Sequence, residues 1–179
     1  MTVPLRTVGH GTLPTEALAG LLVDAGVRAV VDIRRFPGSR RQPHLARDAL
    51  AVSLPDAGLQ YRWEPRLGGR RHTPAAAEPT DTWWRVAAFR AYAAHTRTAE
   101  FGDALEDLVR QAREVPTAVM CSESLWWRCH RRLVADAVVL LADAPVEHLA
   151  HDGRVTVHEP SDGARAAPGG GLTYPGADA

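Results

Sequence analysis

Val27-Arg28-Ala29-Val30-Val31-Asp32-Ile33 decides the fold class. The run is almost continuously apolar and β-branched, where a half-buried strand would alternate, so it reads as a strand covered on both faces of a parallel sheet. Parallel neighbours need crossover connections, which places helices between the strands. Upstream, Leu5–Val8 predicts a strand that runs into Gly9-His10-Gly11. Pro14 then suits a first helical turn, Leu18, Leu21, Leu22 and Ala25 form an apolar stripe, and Gly26 suits the stop.

Downstream, the Pro37-Gly38 pair marks Arg34–Arg41 as a loop, basic at four of its eight positions. A short helix is expected over Pro43–Leu54, with Leu45, Ala49, Leu50 and Leu54 inward, and a third strand over Leu59–Trp63. Arg66–Arg71 is a second basic loop, loosened by Gly68-Gly69, and residues 72–80 read as a mobile connection. Asp81 is expected to cap a helix through His95 bearing Trp83, Trp84, Phe89 and Tyr92. Thr98 caps another with Phe101, Leu105, Leu108 and Ala112 on one face. Thr117–Met120 is a fourth strand, followed by a helix to about Ala142. Pro145–Ala150 and Arg154–His158 form a hairpin about Asp152-Gly153. The expectation is an α/β protein: one three-layer domain over 1–159, its sheet mostly parallel with helices on both faces and a C-terminal hairpin at one edge. Residues 160–179, rich in Gly, Ala and Pro with few apolar anchors, are expected to be a disordered tail.

The 179 residues, 45% of them hydrophobic, suffice for one domain with a sizeable core. No apolar run spans a membrane and no signal-peptide pattern opens the chain, so the expectation is a cytoplasmic protein without a membrane partner. The formal charge is zero, yet the 21 basic residues are all arginine and gather in Arg34–Arg41, Arg62–Arg71 and Arg128–Arg132. A neutral chain so patterned carries one locally positive face.

Chemistry concentrates in Pro116–Arg132, which holds both cysteines, Glu123, His130 and three arginines. Two clustered cysteines are not a disulfide framework and point to reactivity or metal binding. Cys121, at a strand end facing the next helix start and surrounded by arginines, has the setting of a thiolate nucleophile, with Glu123 or His130 to move a proton. Cys129 is a further candidate, and a reversible Cys121–Cys129 bond is open. In parallel sheets the loops at the strands' carboxyl ends converge on one crevice. That rule brings His10, the Asp32–Arg34 segment, the Arg66–Arg71 loop and Cys121–Arg132 together, with Asp32 orienting a guanidinium. His10, Asp32, Arg34, Ser39, Arg40 and Arg131 are the expected anion-binding residues.

Several of these stretches together, Thr7-Val8-Gly9-His10, Val30–Arg34 with Pro37 and Ser39-Arg40, Tyr61, Leu67-Gly68-Gly69, Met120-Cys121-x-Glu123 and Cys129-His130-Arg131, resemble the DUF488 family from about residue 5 to His158. The resemblance implies a compact α/β domain of unsettled biochemical role. Trp126 and Trp127 depart from it, standing where the family's loop is usually polar or carries a proline. They could alter the ligand or close the pocket.

The sequence thus supports a Cys-dependent transferase or hydrolase acting on a small anionic ligand that is phosphorylated, nucleotide-like or sulfur-containing. A tyrosine-phosphatase loop is disfavoured, because it needs Cys-x5-Arg and position 127 is Trp. Two alternatives stand beside the enzyme reading. One is a nucleic-acid-binding accessory protein, weakened by zero net charge. The other is a metal protein using Cys121, Cys129 and His130, whose spacing matches no common zinc motif. No cofactor is predicted.

Overall fold

The computed structural model describes residues 3–72 and 80–177; most of the expected mobile connection, 73–79, lies outside them. Six strands form one sheet in the order β3-β2-β4-β1-β5-β6: β1 Leu5–Gly9, β2 Ala29–Asp32, β3 Gln60–Trp63, β4 Thr117–Cys121, β5 Val146–Leu149 and β6 Val155–Val157. The first five run parallel, and β6 closes one edge antiparallel to β5. Every residue of β2 and β4 is buried, as their largely apolar character leads one to expect. At the edges, β3 is partly covered and β6 is exposed throughout.

Helices α1 (Thr15–Asp24) and α2 (Arg47–Asp56) cover one face, and α3 (Ala87–Thr96), α4 (Ala99–Glu114) and α5 (Arg131–Ala142) the other. The pleat of β4 sorts its side chains between the two cores. Ala118 and Met120 meet Leu18, Leu22, Leu50 and Leu54, while Val119 and Cys121 meet Phe101, Leu108, Leu133 and Val138. Thr98 caps α4 by accepting the Phe101 N–H, as its position predicts.

The topology fixes where a crevice forms. From β1 and β2 the chain moves toward β3, whereas from β4 it moves past β1 to β5. The loops leaving β2 and β4 therefore diverge, and their carboxyl ends open a gap beside the end of β1.

Three expectations are corrected. The segment Pro43–Leu54 splits into a short 3-10 turn, Pro43–Leu45, and α2, which starts at Arg47. Asp81 caps nothing. It pairs with Arg97 at 2.8 Å and accepts the Tyr174 N–H at 3.0 Å, so α3 starts only at Ala87 and both tryptophans lie ahead of it. Third, residues 160–177 are packed against the domain. Two short strands, β7 Arg165–Ala166 and β8 Leu172–Thr173, pair antiparallel, Leu172 and Tyr174 are fully buried, and the Tyr174 ring packs on Trp84 at 5.2 Å. A glycine-rich composition left room for two apolar anchors, and their burial against α3 and α5 holds the segment in place.

Candidate functional site

At the carboxyl ends of β1, β2 and β4 lies a hollow of about 250 Å³, lined by His10, Arg34, Arg35, Ser39, Arg70, Cys121, Cys129 and His130 among others. The convergence expected from topology holds for the thiol, imidazole and guanidinium groups. Chain approach here is very close, since a Cβ on Gly9 would overlap the Glu123 carbonyl oxygen. The β1 ladder accordingly continues into the loops, with His10 N–H donating to Cys121 O and Gly11 N–H to Ser122 O.

One wall is a closed polar frame. Arg34 donates to both Asp32 oxygens, Nε to Oδ1 at 2.8 Å and Nη2 to Oδ2 at 2.6 Å, and through Nη1 to Leu45 O and to His10 Nε2. Tyr61 donates to Asp32 Oδ2 at 2.6 Å, and burial beside that carboxylate pushes its phenol pKa up. Burial pulls the His10 pKa down to about 4, so the ring is neutral near pH 7. Its Nε2 accepts from Arg34, which leaves Nδ1–H to donate to Gly11 O at 2.9 Å. Of the residues expected to bind an anion, His10 and Arg34 do line the hollow, while Asp32 does not. Asp32 is fully buried, and all three guanidinium nitrogens of Arg34 already have partners, so this set is a scaffold for the β2 loop.

The floor is the pair of thiols. Cys121 ends β4, Cys129 precedes α5, and their Sγ atoms are 2.8 Å apart. Cys129 Sγ also faces His130 Nδ1 at 3.4 Å and accepts the Arg131 N–H at 3.5 Å, at the open start of α5. The two thiols are driven in opposite directions. Burial, reinforced by the neighbouring Cys129, pushes Cys121 up. The hydrogen bond from Cys121 pulls Cys129 down against its own burial, helped by His130 and Arg131. These surroundings favour ionisation of Cys129 over Cys121, the sulfur that the sequence singles out as nucleophile. His130 Nε2–H donates to Ile33 O at 3.2 Å, and a proton on Nδ1 would point at the Cys129 sulfur.

Arg131 is 1% exposed and contacts no carboxylate among the described residues. Its Nη2 donates to the carbonyls of Glu123 and Ser124, and its Nε is buried without a partner. A buried cation needs a nearby anion. Its charge lowers both thiols, which makes the Cys129 sulfur its natural counter-charge.

The remaining expected residues do not gather here. The Glu123 carboxylate accepts the Leu125 N–H at 3.1 Å and does not line the hollow. Arg40 is exposed and outside the lining, and Arg131 lies behind the sulfurs. Ser39 does line the wall, its Oγ accepting the Gln42 N–H. The cations that do reach the mouth are Arg35 and Arg70, neither paired with a carboxylate among the described residues. Arg35 Nη1 donates to the Arg70 carbonyl at 2.8 Å, and Arg70 takes a left-handed φ of 56°. Gly68 and Gly69 permit this approach, because a Cβ on either would press into Arg35 or His130. The two-glycine basic loop was the signal in the sequence for these two arginines.

A second polar chain escaped sequence reading altogether. Thr7 Oγ1 donates to His148 Nδ1, His148 Nε2 to His158 Nδ1, and His158 Nε2 to Asp136 Oδ1, while Tyr174 donates to Asp136 Oδ2. Burial pulls the His148 pKa down to about 3, consistent with a neutral ring in this chain. Trp126 stacks on His148 at 4.0 Å, and Trp127 is 48% exposed; neither lines or closes the cysteine hollow.

Among the described residues no group of three or more His, Cys, Asp and Glu side chains is arranged to hold a metal ion, and no helix is long and apolar enough to cross a membrane. No curated protein and no solved structure gives a significant match to the chain. A family described as a domain of unknown function does match, over residues 14–138, a span that holds Asp32, Arg35, Arg70 and both cysteines while leaving out β1 with His10. On that match, the chain belongs to the DUF488 family.

Proposed function

We propose that the protein is a Cys-dependent enzyme in which the Cys129 thiolate attacks a small anionic substrate, phosphorylated, nucleotide-like or sulfur-containing, held at the mouth by Arg35 and Arg70. The observation that carries the reading is the placement of Cys129 Sγ, 2.8 Å from a second thiol and 3.4 Å from an imidazole in a hollow whose Arg35 and Arg70 pair with no carboxylate among the described residues. His130 is the group placed to exchange a proton with the sulfur or the leaving group. A volume near 250 Å³ admits a small molecule or one arm of a larger one. A nucleic-acid ligand draws support only from exposed Phe36 beside Arg35 and Arg70, and gives the buried thiols nothing to do.

The test is alkylation by iodoacetamide across pH, read by peptide mass spectrometry. Cys129 should be modified well below about pH 8.5, the ordinary thiol value, with Cys121 spared and phosphate or sulfate slowing the reaction. Modification of both cysteines only above that pH, unaffected by anions, would overturn the reading.

A further inference from the structure

The geometry points to a two-cysteine thiol–disulfide exchange at this site, with Cys129 attacking and Cys121 resolving, on small disulfides that carry negative charge. This inference rests on the thiolate reading above and narrows its reaction and substrate. Three observations carry it. A second thiol in contact with the first supplies a resolving group that a one-cysteine acyl or phosphoryl transfer would not use, and Cys121 is held 2.8 Å from Cys129 by the end of β4. The sulfurs are also graded in access. Both line the hollow, but Cys129 is the more exposed, 7% against 1%, and stands beside His130 and the α5 start, an order that fits attack followed by resolution. Finally, both sulfurs are almost wholly buried, which favours a small disulfide over one on the surface of a folded protein, and Arg35 and Arg70 in the lining favour one bearing carboxylates.

The exchange balances without another reactant. Cys129 thiolate attacks one sulfur of the bound disulfide, the S–S bond breaks, and the first small thiol leaves with a proton delivered through His130 or water. Cys121 then gives up its proton and attacks Cys129 Sγ, and the mixed S–S bond breaks to release the second small thiol. One small disulfide and two protein thiols become two small thiols and one Cys121–Cys129 disulfide. A low-molecular-mass thiol in excess reverses the exchange and restores the dithiol.

The reduced protein would be incubated with oxidised glutathione, an anionic disulfide, or with 2-hydroxyethyl disulfide, a neutral one, and followed by intact-mass and peptide mass spectrometry. The wild-type chain should lose two hydrogens, retain no glutathione and yield a Cys121–Cys129 cross-linked peptide. Cys121→Ala should trap one glutathionyl group on Cys129, and Cys129→Ala should trap none. The anionic disulfide should react about tenfold faster than the neutral one at low salt, a margin that Arg70→Ala removes. A stable glutathione adduct on the wild-type chain, an adduct on Cys121, or no reaction would overturn the exchange; equal rates for the two disulfides would overturn the anionic class. The wild-type masses decide the matter even if a variant misfolds. If Cys129 still alkylates at low pH while no disulfide forms, the exchange fails and the thiolate reading survives; if neither occurs, both fail.

Discussion

Cys121 Sγ stands 2.8 Å from Cys129 Sγ, one at the end of a central strand and the other at the start of the helix that follows it. Burial raises the first thiol, and contact with it lowers the second, so the pair favours ionisation at Cys129, next to buried Arg131.

Removing either support should raise the pH at which Cys129 reacts. Cys121→Ala deletes the donor and Arg131→Met deletes the cation, each expected to move the alkylation midpoint upward by about one pH unit. Iodoacetamide kinetics against pH measure the shift, and an unchanged midpoint in both variants would show that neither group stabilises the thiolate.

Arg34→Lys should destabilise the protein by about 2 kcal/mol, because an ammonium cannot span both Asp32 oxygens while also reaching Leu45 O. Urea denaturation measures the loss. A change below about 0.5 kcal/mol would contradict a scaffold role.

Residues beyond Pro160 should be required for stability. Tyr174→Phe removes a donor from fully buried Asp136 and should cost about 2 kcal/mol. A chain ending at residue 160, stripped of Leu172 and Tyr174, should lose cooperative unfolding. Calorimetry checks both, and a truncated chain that melts like the full one would refute the packing of this segment.

Acid should weaken the fold before most carboxylates protonate. As pH falls from 6.5 to about 4, the unfolded chain binds a proton at His10 that the folded chain refuses, and His148 extends the effect toward pH 3. Stability due to neutral His10 is present above 6.5 and declines on the order of 3 kcal/mol across that window. Urea midpoints between pH 7 and 4 should fall less steeply for His10→Asn than for the wild type.

Gly9→Ala should cost about 3 kcal/mol or prevent folding, since the added methyl meets the Glu123 backbone rather than a side chain that can turn aside. A variant as stable as the wild type would mean that this loop moves freely.

The sequence by itself determined the layered fold and the meeting of its loops. The apolar run at Val27–Ile33 and its counterpart at Thr117–Met120 fixed parallel buried strands, and strand polarity then obliged the segments around His10, Arg34, Arg70 and Cys121 to share one end of the sheet. Which charges are paired, and what surrounds each sulfur, follows from contacts between distant segments. Arg34 and Arg70 look alike in sequence, but one is consumed by Asp32 and the other is open to the hollow. Likewise Cys121 and Cys129 differ by their depth and by the helix start, imidazole and guanidinium around them. The folding of 160–177 escaped local reading for the same reason: its composition offers no periodicity, and Leu172 and Tyr174 become anchors only where α3 and α5 present a surface to receive them. Hydrophobic pattern is local and carries the fold, whereas ionisation and hydrogen-bond satisfaction depend on neighbours brought from distant parts of the chain.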